Sequence, residues 1–272
     1  MNLIKERTFI TLFLLIFAVS FSQTATVDSL RGEFTYLLQY KPNTLHGDHI
    51  IKELYTLQIT DKRSFFSSEN KLKFDSAFSA EYHKKGSIID LSGIPVSRSN
   101  FLIIQTNENS QFYESVGMTL LSYTNPVIHN WKLIHETKVI NAIHCKRAEV
   151  NFKGRDWIAW YSTEIPFPYG PYKFSGLPGL IVKITDKTAD YDYELVKAVP
   201  SHQLKGKTVT VNKARYQGAK LVTQKELSEA RKNFRANARR ELESMGTVFS
   251  QDQTRPKITE TEKKGHNPIE LE

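Results

Sequence analysis

His46-Gly47-Asp48-His49 places two imidazoles and a carboxylate within four residues, donors that suit a transition metal. The set lacks a third histidine or a cysteine at a recognised spacing, and it follows a polar, proline-bearing stretch. Solvated loop residues are therefore the favoured reading. His144-Cys145 is the second pair with chemical potential, because a thiolate beside an imidazole is a nucleophile. Neighbouring side chains on a strand point to opposite faces, so this pair should diverge. Cys145 is the only cysteine in the chain and is expected to be a buried strand thiol with no disulfide partner. No Gly-x-Ser-x-Gly, His-Glu-x-x-His or phosphate-cradling glycine loop occurs. A catalyst would have to rest on scattered carboxylates. The expectation is a protein that is not an enzyme, with no metal and no cofactor.

The segment best suited to recognition runs from Trp157 to Asp186. Trp157 and Trp160 are three apart and fall on opposite faces of one strand, so one should face away from the core. Tyr169, Tyr172 and Phe174 follow on a backbone stiffened by Pro166, Pro168, Pro171 and Pro178. A rigid loop carrying aromatic rings loses little entropy on binding an apolar ligand or another protein. Trp160, Tyr169, Tyr172 and Phe174 are the candidate binding residues. The competing reading is a plug that closes the end of a sheet. Gly176-Leu177-Pro178-Gly179 has the residues of a structural turn, with proline presetting φ and glycine admitting positive φ in a type II turn over Leu177–Leu180. Asp186 is expected to form the next turn rather than to pair with a cation.

This segment resembles the defining block of the GLPGLI family, whose name is the string found here at Gly176-Leu177-Pro178-Gly179-Leu180-Ile181. Trp160-Tyr161, Glu164-Ile165-Pro166 and Gly170-Pro171-Tyr172-Lys173-Phe174 are similar to the same pattern, as is the ending Asn267-Pro268-Ile269-Glu270-Leu271. The resemblance implies an exported protein of the Gram-negative envelope with no established activity. It also implies genes near those of outer-membrane TonB-dependent receptors.

The elements that must position these residues are mostly strands. Phe34–Tyr40, Leu54–Thr60, Ser64–Ser68, Phe101–Gln105 and Gln111–Glu114 read as strands, and Asp75–Lys85 as either a short helix or a strand. Trp131–Ile140, His144–Phe152 and Trp157–Ser162 are runs of six to ten residues joined by short turns at Asn141-Ala142 and at Lys153 to Asp156. Leu180–Ile184 and an alternating run from Tyr191 to Val199 complete the set. No helical period lies between these runs, so an antiparallel meander is expected rather than a parallel sheet. One helix is expected over 223–245, because Thr223-Gln224-Lys225-Glu226 has the form of a capping box. Leu227, Ala230, Phe234, Ala238, Leu242 and Met245 form its apolar stripe, with Gly246 just past its end. Arg231, Lys232, Arg235, Arg239 and Arg240 should turn mostly outward. The fold class is mainly β, a curved antiparallel meander resembling a half-barrel, with the C-terminal helix packed on it and a flexible tail.

Of the 272 residues, 1–22 read as a signal peptide, 23–246 as one β-rich domain and 247–272 as the flexible polar tail. Lys5 and Arg7 precede a 13-residue apolar run from Phe9 to Phe21, and Ser20 and Ser22 supply the small-x-small cleavage pattern. That run is too short for a membrane span, which takes about 20 apolar residues, so no transmembrane segment is expected in the mature chain. The net charge of +8 falls to +7 without Lys5, Glu6 and Arg7. From Gln203 onward 15 basic residues face 9 acidic ones, whereas Gln23 to His202 is near neutral with 20 against 19. A basic end often suggests nucleic acid, but an exported protein meets little of it, so nucleic acid is not the expected partner. Anionic lipid head groups or an acidic protein face fit better, and a solvated charged helix with no partner is favoured over both. The expected function is non-catalytic binding of an apolar small molecule or of an outer-membrane receptor. The alternatives are an accessory subunit of a TonB-dependent transport assembly and an unrecognised hydrolase. The expected location is the periplasm or the outer-membrane surface, with release from the cell a third outcome.

Overall fold

The computed structural model describes residues 28–82, 93–244 and 264–271. The signal-peptide reading, Met245, Gly246 and most of the expected tail lie outside the described residues. Twelve strands form one sheet: β1 (Gly32–Tyr40), β2 (Ile51–Ile59), β3 (Ser64–Ser68), β4 (Phe101–Gln105), β5 (Asn109–Val116), β6 (Thr119–Pro126), β7 (Lys132–Ile140), β8 (Ile143–Phe152), β9 (Arg155–Ser162), β10 (Leu180–Asp186), β11 (Tyr191–Ala198) and β12 (Lys220–Leu221). Their order is β12-β6-β5-β4-β3-β2-β1-β11-β10-β9-β8-β7. The pairings are antiparallel except for β12 with β6, so the sheet is mixed at one edge. It is two meanders, β1 to β6 and β7 to β11, joined where β1 pairs with β11.

One short connection dictates the curvature. In the sheet β6 and β7 are ten strand-to-strand steps apart, yet only five residues join them. Ten steps at about 4.8 Å would place them about 48 Å apart in a flat sheet. Five residues reach about 20 Å at most. The sheet must therefore curl until β6 and β7 approach, without closing, since β12 and β7 do not pair.

The inner face of this curl holds the main core. Phe34, Tyr36 and Leu38 of β1 share it with Tyr55, Leu57, Trp157, Ile184 and Tyr193. On β3, neighbouring Phe65 and Phe66 point to opposite faces, Phe66 joining the main core and Phe65 a smaller outer cluster. The 209–219 segment covers that outer cluster with Val211 and Tyr216.

The segment left open between helix and strand is helix α1 (Glu69–Tyr82). It has no buried residue, and stacking of Phe74 on Phe78 and of Phe78 on Tyr82 marks its helical spacing. The C-terminal helix is α2 (Gln224–Ser244). Among the described residues no helix is long and apolar enough to cross a membrane.

The type II turn expected at Leu177–Leu180 does not form. The Gly179 N–H donates to the Leu177 carbonyl, two residues back, and the Leu180 N–H to Ile165 instead. Gly179 is needed for a different reason: a Cβ there would lie 2.0 Å from the Ser162 carbonyl oxygen. Gly176, at φ 92°, likewise presses on the Ile128 carbonyl, where a Cβ would come within 2.5 Å.

Candidate functional site

The site is built around the start of α2. The Thr223 hydroxyl accepts from the Glu226 N–H at 3.1 Å, and the Glu226 carboxylate accepts from the Thr223 N–H at 2.6 Å, closing the capping box. Leu227 is fully buried and pins the first turn on the sheet. One turn later Arg231 faces the same way rather than outward as its charge implied. Its guanidinium pairs with Glu114 of β5 and lies 5.6 Å from the centre of the Phe112 ring. A sheet carboxylate beneath the helix supplies the partner that draws it inward, with the guanidinium over the ring.

Between α2, the sheet and residues 266–270 lies a cavity of about 810 Å³. Phe101, Phe112, Tyr123 and Tyr172 form its floor. Phe112 and Tyr123 are cross-strand partners stacked at 5.0 Å, and Phe101 meets Phe112 at 5.3 Å and Tyr172 at 5.8 Å. The rim is cationic, with Lys153, Lys225, Arg231, Lys232 and Arg235, and His266 beside them.

Behind the lining residues Tyr123, Tyr172 and Glu270, Lys173 is 1% exposed. It donates to the Tyr123 hydroxyl at 2.6 Å and to Glu270. Three aromatic rings surround its ammonium, those of Phe112, Tyr123 and Tyr172, with centroids 4.6 to 5.1 Å away. Burial pushes the ammonium down to about 8, against the opposing pull of Glu270. Glu270 also accepts from the Tyr172 hydroxyl at 2.7 Å and from Gln224 Nε2 at 2.8 Å.

Glu270 arrives on a docked segment. The tail expected to be flexible is, over residues 264–271, fastened to the sheet. Asn267 is buried, and its Oδ1 accepts from Arg155 Nη2. Arg155 also donates to the Pro268 carbonyl at 2.7 Å and to Asp186 at 2.8 Å. Its side chain is 6% exposed and that of Asp186 2%, so this is a buried ion pair. Asp186 does form the expected turn, accepting from the Thr188 hydroxyl and the N–H groups of Asp190 and Tyr191, but it is a charge partner as well.

Of the residues singled out in the sequence, Tyr172 lines the cavity floor and Phe174 does not. Phe174 is fully buried, 4.6 Å from Trp157 and 5.4 Å from Phe152 by ring centroid. Tyr169 is buried too, and its segment bridges to Ser175. Trp160 is half-buried on the other face from Trp157, with the Lys138 ammonium 5.8 Å from its ring. Gly176, Leu177, Pro178 and Gly179 seat the loop against Ile128 and Ser162. His46, Asp48 and His49 lie on an exposed loop, and among the described residues no group of three or more His, Cys, Asp or Glu could hold a metal ion. His144 and Cys145 diverge, the thiol buried and the imidazole exposed beside Glu164. Sequence reasoning missed Lys173, Arg155, Asn267 and Glu270. The signal lay in two motifs, Gly170-Pro171-Tyr172-Lys173-Phe174 and Asn267-Pro268-Ile269-Glu270-Leu271, which the fold brings together.

Comparison with known proteins agrees on where the distinctive segment lies. A family described as "Protein of unknown function (Porph_ging)" matches residues 149–183, from late β8 to early β10. No curated protein matches the sequence. Among solved structures the fold is similar to PNGF-II in its P21 crystal form, at 11% identity and a TM-score of 0.50, covering 73% of this chain and 32% of that one. The C2 form of PNGF-II gives a TM-score of 0.49 at the same identity and coverage. An uncharacterized conserved protein from Thermus thermophilus gives 0.30 at 8% identity, covering 70% of this chain and 89% of that one. This chain thus spans about a third of the PNGF-II structure, and at such identity the likeness is one of fold alone.

Proposed function

We propose that this is an exported, non-catalytic envelope protein of the GLPGLI type, whose cavity beneath α2 binds a molecule with an apolar body and an anionic head. The observation that carries the reading is the pairing of an aromatic floor with a cationic rim in a cavity of about 810 Å³. That volume lies in the range of small-molecule sites, about 300 to 1,000 Å³. Rings supply apolar contact at low entropic cost, and the rim offers more cations than the nearby acids consume. Export rests on the signal-peptide pattern of the first 22 residues.

The test is a titration of the mature chain with cis-parinaric acid, a fluorescent apolar carboxylic acid, followed by displacement with oleate. Saturable binding is expected, weakened about tenfold in Arg231→Ala/Arg235→Ala through loss of two rim cations. Methyl oleate should displace poorly. The absence of saturable binding, or equal displacement by acid and ester, would overturn the reading.

A second reading, docking on an outer-membrane protein, is favoured by β7. This edge strand has one paired neighbour among the described residues and exposes Leu133 and Val139. A free edge of nine residues can add a partner strand. An accessory role in a TonB-dependent transport assembly would be one form of it. Cross-linking in envelopes should capture a receptor with the parent chain and not with Thr137→Pro; identical capture would count against strand addition.

A further inference from the structure

We infer that the groove running from the 41–44 loop past the β8–β9 turn to Lys173 is a binding site for an extended peptide that presents an asparagine and, three residues on, a carboxylate. Residues 264–271 of the chain itself fill it in cis. The segment also forms one wall of the cavity, through His266, Pro268, Ile269 and Glu270, but the inference does not depend on which molecule the cavity binds.

The groove holds the segment as peptide-binding sites hold a ligand, by main-chain bonds for affinity and side-chain sockets for selection. The Gly265 carbonyl accepts from the Thr44 N–H, the Asn267 N–H donates to the Pro42 carbonyl, and the Leu271 N–H donates to the Lys153 carbonyl. The Tyr191 hydroxyl donates to the Asn267 carbonyl at 2.6 Å. Gly265 passes so close to Asn43 that a Cβ would meet its side-chain oxygen at 1.9 Å, so a larger residue at this entry point would have to displace that side chain.

Two side chains of the segment are read in closed sockets. Asn267 accepts from Arg155 and donates its Nδ2 to the Lys41 carbonyl at 2.9 Å. Glu270, three residues further on, is met by Lys173, Tyr172 and Gln224.

Each socket cation also has partners outside the segment. Arg155 is held by Asp186, which is itself held by Thr188 and two backbone N–H groups. Lys173 is held by the Tyr123 hydroxyl and three rings. A receptor arranged in advance is what lets a short peptide bind without a large ordering cost on the protein side. Residues 245–263 join the segment to α2 covalently, so it competes with any peptide in trans as an intramolecular ligand. Occupancy in cis would mask a much weaker affinity in trans.

The experiment uses the full mature chain with a protease site placed within 247–260, cleaved after folding. A fluorescently labelled peptide of sequence 264–272 is then added and followed by anisotropy. The cleaved protein should keep its circular dichroism and exchange its own segment for the labelled one. The uncleaved chain should show no binding. Peptides carrying Asn267→Ala or Glu270→Gln should bind at least about tenfold more weakly, since each loses a hydrogen bond to a buried cation. Uncleaved full-length Glu270→Gln should admit the labelled parent peptide in trans, which tests the site without any cut. A cleaved protein that unfolds, or stays folded and binds no peptide, would overturn the inference. So would equal binding of all three peptides.

Discussion

Lys173 and Glu270 stand 97 residues apart in the chain and meet as a buried ion pair, their side chains 1% and 9% exposed. The lysine belongs to the proline-rich loop that fills the curled sheet, the glutamate to the docked C-terminal segment. The pair therefore ties the part of the chain with the most distinctive sequence to its end. Tyr123 and Tyr172 surround it on the sheet side, and Gln224 reaches it from α2.

Removing one partner should cost far more than removing both. Glu270→Ala leaves an ammonium in an aromatic pocket, and breaking a buried pair in this way costs about 3 kcal/mol. Lys173→Met leaves a carboxylate that still has two donors and should cost less. In Lys173→Met/Glu270→Leu the loss should fall well below the sum of the single changes. Urea unfolding of the four proteins measures this directly; additive losses would show that the two groups do not sense each other.

The same lysine sets a pH dependence. Burial lowers its ammonium from 10.5 in the open chain to about 8 in the fold. Between those values the unfolded chain binds more protons than the native one, so stability rises with pH across that window. The full contribution is on the order of 3 kcal/mol. Above about pH 10 the trend must reverse, because unfolding then releases tyrosines whose phenols are held protonated by burial. Tyr36, Tyr55, Tyr172 and Tyr193 are all raised well above their ordinary value for that reason. Unfolding free energies of the parent and Lys173→Met between pH 7 and 10 should diverge, the variant lacking the rise. Parallel curves would refute the assignment.

The hairpins around β8 were legible because their signals are local. Asn141-Ala142 and Lys153-Gly154 each join two alternating runs, and all four residues take the positive φ that two-residue hairpin turns demand. The outward Trp160 and the diverging His144 and Cys145 followed from period two alone. Strand β6 escaped because Thr119–Pro126 ends in Thr-Asn-Pro, residues that read as a turn. Helix α1 stayed ambiguous because it has no fully buried residue and rests on the outer cluster only through the partly buried Leu72, so no clear apolar stripe marks it. The motifs that hold Lys173, Asn267 and Glu270 were legible, but nothing local announced the Lys173–Glu270 and Arg155–Asn267 contacts. They depend on a curl imposed by the five residues between β6 and β7, which no periodicity encodes. Arg231 misled for a related reason: its partner Glu114 lies on a strand 117 residues earlier.

Gly179 and Gly176 should tolerate alanine poorly, and for reasons other than turn type. At Gly179 a methyl would overlap the Ser162 carbonyl, and backbone on backbone leaves nothing flexible to yield. Gly179→Ala should therefore cost about 3 kcal/mol or more, with Gly176→Ala close behind. Gly47→Ala is the control, since nothing lies within 4 Å of its added carbon, and it should change stability by less than about 0.5 kcal/mol. Thermal melts of the three variants decide the matter. Equal melting temperatures would mean that the loop between β9 and β10 relaxes where the packing says it cannot.

Cys145 offers a probe of the sheet that needs no engineered label. Its thiol is 1% exposed, donates to the Ile143 carbonyl at 3.4 Å, and is pushed up to about 11 by burial. Only the thiolate attacks a disulfide reagent, so at pH 8 the native chain should react with Ellman's reagent only through opening of the sheet. In urea the single thiol should react at once. His144 lies on the opposite face, paired with Glu164 at 3.1 Å, and cannot take the thiol proton there. His144→Ala should leave the native rate within about twofold, as expected for an exposed substitution away from the core. A fast native reaction that slows in His144→Ala would place the imidazole beside the sulfur and revive a nucleophilic pair that alternation along β8 forbids.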